Sequence, residues 1–111
     1  MVEFLTIGES KYPFIFNFYV MGMVQQETGV EFTELSNINT YLNRLYLIEP
    51  VLFYGIKYGH IFTKTEMTIK REDMPLLLSD NKVYLEFIPM ITKFLVEDTK
   101  AEEKGSGTKK K

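Results

Sequence analysis

Cysteine is absent from the 111 residues, and histidine occurs once, as His60. Without thiols there is no disulfide framework, no thiolate zinc site and no cysteine nucleophile, and a single imidazole removes any multi-histidine metal site. A positive excess is missing as well. Residues 1–97 carry 8 basic and 12 acidic side chains, whereas residues 98–111 carry 5 and 3. A mildly acidic body argues against a nucleic-acid interface, which needs a basic face. Long apolar runs are lacking too. Stretches such as Phe18–Val24 and Pro50–Ile56 fall far below the ~20 residues that span a bilayer. The first residues show no basic n-region followed by an apolar stretch and a cleavage site, so the expected location is a reducing cytoplasm, with no membrane and no nucleic acid as partner.

Enzyme signatures are equally sparse. Gly22, Gly29, Gly55 and Gly59 form neither GxGxxG nor GxxxxGK[ST], the two backbone cradles for phosphates. Glu27, Glu31 and Glu34 straddle a helix break without the Asp/Asn alternation and central glycine of a calcium loop. His60 follows Gly59 at an expected helix end, where the dipole favours a histidine cation. Catalysis would need a nucleophile or carboxylate beside it, and none is identifiable by spacing. No catalytic residue, metal or cofactor is expected.

What is present is a core. Apolar residues make up 45% of the chain, and Ala101 is the one apolar side chain in residues 98–111. The expectation is a single helical domain over residues 1–97, mainly α with an N-terminal β-hairpin (α+β), followed by four to five helices and a flexible charged tail at 98–111.

The hairpin is read from Val2–Ile7 and Tyr12–Phe16, rich in β-branched and aromatic residues around Gly8-Glu9-Ser10-Lys11. Asn17 is placed to cap a helix that Gly29 ends, with Gly22 as a possible close helix contact. Thr33 or Ser36 then caps a second helix, whose apolar stripe is Ile38, Tyr41, Leu42, Leu45, Ile48, Leu52 and Ile56. Pro50 interrupts that stripe and is expected near the first turn of a new helix closing at Gly59-His60, with Lys57 in its last turn. After a connection over 61–70, residues 71–78 read as a helix start with Thr68 as a possible cap. A final helix spans about Lys82 to Val96.

On that last helix Val83, Phe87, Met90 and Phe94 form one apolar row, and Tyr84, Ile88, Ile91 and Leu95 form the next. The polar stripe is confined to Lys82, Glu86, Lys93 and Glu97, with Pro89 between. The apolar arc is wider than the ~100° that one core requires. Tyr46, Leu47, Val51, Tyr54 and Tyr58 likewise fall off the central stripe. The excess implies self-association or an apolar client, with Tyr84, Phe87, Ile91, Phe94, Leu95, Tyr54 and Tyr58 as candidate protein-binding residues. The alternative is a crowded small core whose tyrosines present their hydroxyls to water.

The order of these segments over about residues 12–97 resembles the tail assembly chaperones of long-tailed bacteriophages. The resemblance lies in the helix end Glu27-Thr28-Gly29 and in the downstream Leu52–His60 segment with its Tyr54-Gly55-Ile56-Lys57. The aromatic-rich opening Tyr12 to Tyr19 and Pro89 depart from the family pattern. Such chaperones are made in a short form and a frameshifted long form, and adenine-rich codons for Lys109-Lys110-Lys111 would suit slippage; a basic solubilising tail is the plainer alternative. The resemblance implies a non-catalytic protein that oligomerises and binds the tape-measure protein, and tail-tube subunits, in the host bacterial cytoplasm. It would be absent from the mature virion. A minor structural or connector component of the virion is the rival expectation. On the sequence alone, Phe87→Asp and Phe94→Asp are expected to reduce self-association or client binding by more than helix content. Equal loss of binding and of circular-dichroism signal would identify both as core.

Overall fold

The computed structural model describes the backbone of residues 2–110 and the side chains of residues 2–95. The tail expected at 98–111 lies outside the residues whose side chains are described. The chain forms a two-stranded antiparallel hairpin, β1 (Glu3–Ile7) and β2 (Ser10–Phe14), followed by helices. These are α1 (Phe18–Thr28), α2 (Phe32–Leu35), α3 (Ile38–Asn43), α4 (Ile48–Thr63), α5 (Met74–Leu78) and α6 (Asn81–Lys110), with 3-10 turns at Leu45–Leu47 and Arg71–Asp73. The fold is therefore mainly helical with an N-terminal hairpin. Among the described residues, no helix is long and apolar enough to cross a membrane.

The hairpin loop is Gly8-Glu9 alone, so Ser10 and Lys11, expected in the turn, belong to β2. A two-residue loop makes Ile7↔Ser10 a hydrogen-bonded pair, and the alternation of the ladder then makes Phe4↔Pro13 a non-hydrogen-bonded one. Pro13 thus sits where its missing N–H interrupts nothing. By the same alternation the amide of Thr6 points out of the ladder, where Glu86 Oε2 accepts from it at 3.1 Å. The edge of β1 is covered by α6 and that of β2 by α4, from which the Gly55 carbonyl accepts from the Ile15 amide at 3.2 Å.

Helix α1 follows the sequence expectation. The Asn17 side chain accepts from the Val20 amide at 3.0 Å, and Gly29, in the left-handed region, donates to the Gln25 carbonyl. The single helix expected after Gly29 is instead divided. Glu31, not Thr33 or Ser36, precedes α2, and Asn37 caps α3 through the Asn39 amide. The division is held from inside: Tyr41 is buried, and its hydroxyl donates to the Leu35 carbonyl across the α2–α3 turn. Arg44 leaves the helical region and ends α3. As a result Leu42 and Leu45 leave the expected stripe for solvent, while Leu47 and Val51, placed off it, are buried beside Ile48, Leu52 and Ile56.

Pro50 occupies the first turn of α4, where it removes no helical hydrogen bond. The helix does not close at Gly59. It runs one turn further, to Thr63, because Lys64 adopts the left-handed cap and the Thr63 hydroxyl turns back onto the Gly59 carbonyl at 3.0 Å. Lys57 is therefore not in the last turn. Thr68 caps nothing in the next segment; Asp73 Oδ2 accepts from the Lys70 amide at 2.8 Å instead. Asp80 starts α6 by accepting from the Lys82 amide at 2.9 Å.

Gly55 and Gly59 explain how the hairpin reaches α4. A Cβ on Gly55 would lie 2.1 Å from the Phe14 ring, and one on Gly59 would lie 2.4 Å from the Pro13 carbonyl oxygen. Gly22, expected to mark a close helix contact, has open space instead. Gly59→Ala, meeting backbone that cannot swing aside, is expected to destabilise the protein by roughly 1–3 kcal/mol. Gly22→Ala is expected to stabilise it by up to ~1 kcal/mol. Urea unfolding of the two variants checks both signs.

Candidate functional site

Four of the seven residues expected to face a partner are core. Phe87 and Ile91 are fully buried, and Phe94 and Leu95 nearly so. The hairpin shelters one side of α6, with the Phe14 ring edge-on to Phe87 at 6.1 Å and to Phe94 at 5.9 Å; α3 and α5 pack against the same helix. A wide apolar arc is thus covered within the chain by three separate elements. Phe87→Asp and Phe94→Asp therefore act on folding itself, and helix content and binding fall together.

The other three candidates are half-buried and lie on two different surfaces. Tyr54 and Tyr58 line the seam between α4 and α1. The Tyr54 hydroxyl donates to Glu27 Oε1 at 2.8 Å, and the Tyr58 ring stands edge-on to Tyr19 at 4.8 Å. Burial and the hydrogen bond to Glu27 raise the Tyr54 phenol above its ordinary value. Near them Phe18 packs on Phe32 at 5.5 Å, with Tyr19 exposed, and Ile61 and Phe62 extend this aromatic ledge along α4.

Tyr84 belongs to the larger surface. A groove of about 760 Å³ runs between α3 with its following 3-10 turn and the first half of α6. Leu42 and Leu45 form one wall, and Tyr84, Leu85, Ile88 and Pro89 form the other, with Asn81 at the end. Leu42 is 53% exposed, Leu45 57% and Leu85 74%. Across Leu45 and Tyr84 the surface continues into a second hollow of about 470 Å³, bounded by Tyr46, Glu49, Pro75 and Leu78. Asn81 and Tyr84 are the polar side chains that line the larger hollow; the rest of its lining is apolar. Such a lining suits an apolar ligand or an apolar helix face inserting side chains at i, i+3, i+4 and i+7.

Sequence reasoning missed Leu42, Leu45 and Leu85. The first two satisfied a helical stripe that the Arg44 break interrupts. Leu85 did carry a signal: three residues after Lys82 and four before Pro89, it is an apolar residue set in the solvent stripe of α6.

The charged centre of the molecule is Arg71. Its guanidinium holds both oxygens of Glu27, with Nη1 to Oε1 at 2.8 Å, and donates from Nε to Glu49 Oε2 at 3.2 Å. It also lies over the rings of Phe53 at 5.4 Å and Tyr54 at 5.9 Å. With Met74, which is fully buried, this fastens the segment before α6 to α1 and α4. The hydrogen bonds from Arg71 lower the Glu27 carboxyl below its ordinary value, more than burial raises it.

Among the described residues, His60 pairs with no carboxylate; its one side-chain partner is a threonine hydroxyl. Its Nδ1 lies 2.8 Å from Thr65 Oγ1, and Nε2 is buried without a hydrogen-bond partner. Burial lowers its pKa, so the expected dipole-favoured cation gives way to desolvation at the end of α4.

No family model matches the chain, and no curated protein or solved structure resembles it significantly. The depressed Glu27 carboxyl gives a direct test of the Arg71 centre. Its contribution to stability is present above the ordinary carboxylate range and is lost as the pH falls through the lowered folded-state value. Urea midpoints between about pH 7 and about pH 3 are expected to fall less steeply in Glu27→Gln than in the unmodified chain. Parallel curves would show that the pair contributes no linkage.

Proposed function

We propose that this chain is a non-catalytic, protein-binding tail assembly chaperone, which oligomerises and binds the tape-measure protein, and tail-tube subunits, in the host bacterial cytoplasm before the virion matures. The observation that carries the protein-binding part is the groove between α3 and α6, where three leucines remain more than half exposed after the core has closed. Exposed leucines scattered singly need no explanation, but a contiguous apolar channel is what helix-in-groove recognition uses. The assignment of the client rests on the segment order around Glu27–Gly29 and Leu52–His60. Tyr84, Leu42, Leu45 and Leu85 take the binding role in this reading, in place of the buried Phe87, Ile91, Phe94 and Leu95.

The test is co-expression with the tape-measure protein that this reading requires. The unmodified chain is expected to co-purify with it, and Leu85→Asp to lose at least nine-tenths of the complex. Because Leu85 is exposed, that variant should keep its unfolding free energy within about 0.5 kcal/mol. Finding the chain in stoichiometric amounts in purified mature particles would contradict the chaperone role and favour a structural part of the tail. An overlapping reading frame entered at the Lys109-Lys110-Lys111 codons would support it.

A further inference from the structure

The polar atoms around the groove narrow the chemistry of the helix it takes. Across both hollows the lining contains one ionised side chain, Glu49, and no Lys, Arg or His. Glu49 is paired with the protein through one oxygen, and its side chain is 37% exposed. Arg71 approaches it through Nε at 3.2 Å while both terminal nitrogens of that guanidinium bond Glu27, and among the described residues Glu49 Oε1 accepts no hydrogen bond. The rest of the lining is apolar apart from Ser79, Asn81 and the tyrosine hydroxyls, so Glu49 is the one charge that borders the channel.

We propose that the groove selects an amphipathic helix bearing a lysine or arginine beside its apolar stripe, the cation meeting Glu49 while the stripe lies between Leu45 and Leu85. This rests on the groove being the protein-binding surface. A second copy of the chain suits the site poorly. Residues 1–97 carry 12 acidic against 8 basic side chains, and residues 98–111, though basic, have Ala101 as their one apolar side chain and cannot fill the channel. Charge complementarity of this kind sets partner choice, since a like charge brought to the same place repels.

Three synthetic helices with the same leucine stripe, differing only in a flanking Lys, Gln or Glu, test the inference against the full chain by fluorescence anisotropy. The Lys helix is expected to bind tightest and the Glu helix about tenfold more weakly, the spread narrowing at high salt. Glu49→Gln should collapse the spread, and Leu85→Asp should abolish binding of all three, with thermal unfolding confirming that both variants fold. Equal affinities for the three helices, all abolished by Leu85→Asp, would overturn the role of Glu49 and leave the groove standing. Binding indifferent to Leu85→Asp, or none at all, would overturn both. A dimer that Leu85→Asp dissociates and that excludes every helix would replace the basic helix with a second copy.

Discussion

The Phe14 ring seated on the bare backbone of Gly55 is the contact on which the rest of the molecule depends. No side chain separates the hairpin from α4 at that point, and a Cβ there would overlap the ring. Once so close, Phe14 also reaches the edges of Phe87 and Phe94 on α6. One aromatic side chain thereby joins three elements distant in sequence. Gly59 extends the approach by letting the Pro13 carbonyl lie against α4. A domain this small buries a modest fraction of its surface, and a ring shared by three elements is an economical way to close its core.

That closure decides which apolar surface is left over. The hairpin covers the face of α6 that holds Phe87 and Phe94, and Met74 on α5 plugs the core beneath. Neither reaches the first half of α6 on its other side. Because Arg44 breaks the chain between α3 and the following turn, Leu42 and Leu45 are carried out to face Leu85 across an open channel. The apolar surface left exposed lies at this channel and on the aromatic ledge beside α1, not along the rows that a helical projection of α6 marks out.

Much of the architecture was legible in the chain. The strand composition on either side of Gly8, the Asn17 cap, the Gly29 stop and Pro50 in a first turn are local signals, and local chemistry decides those features. The errors came where tertiary contacts decide. Tyr41 reaching the Leu35 carbonyl divides one expected helix into two, and nothing in residue spacing announces that bond. Gly55 and Gly59 were visible as residues but not as a docking strip, since their partner lies some forty positions earlier. The wide arc of α6 suggests an excess of apolar surface, but most of it is core, because a hairpin from the other end of the chain covers it, which periodicity does not show. Leu85 was the exception, an apolar residue in a polar stripe whose signal was available and passed over.

The central claim is that the channel between α3 and α6 is where this protein holds another. Site-specific photocrosslinking from position 85, during co-expression with the proposed tape-measure client, tests it most directly. A covalent adduct to a helical segment of that protein, absent when the crosslinker replaces the solvent-facing Lys82, is the predicted result. Adducts formed only from the aromatic ledge, at Tyr19 or Phe62, with position 85 silent, would contradict it.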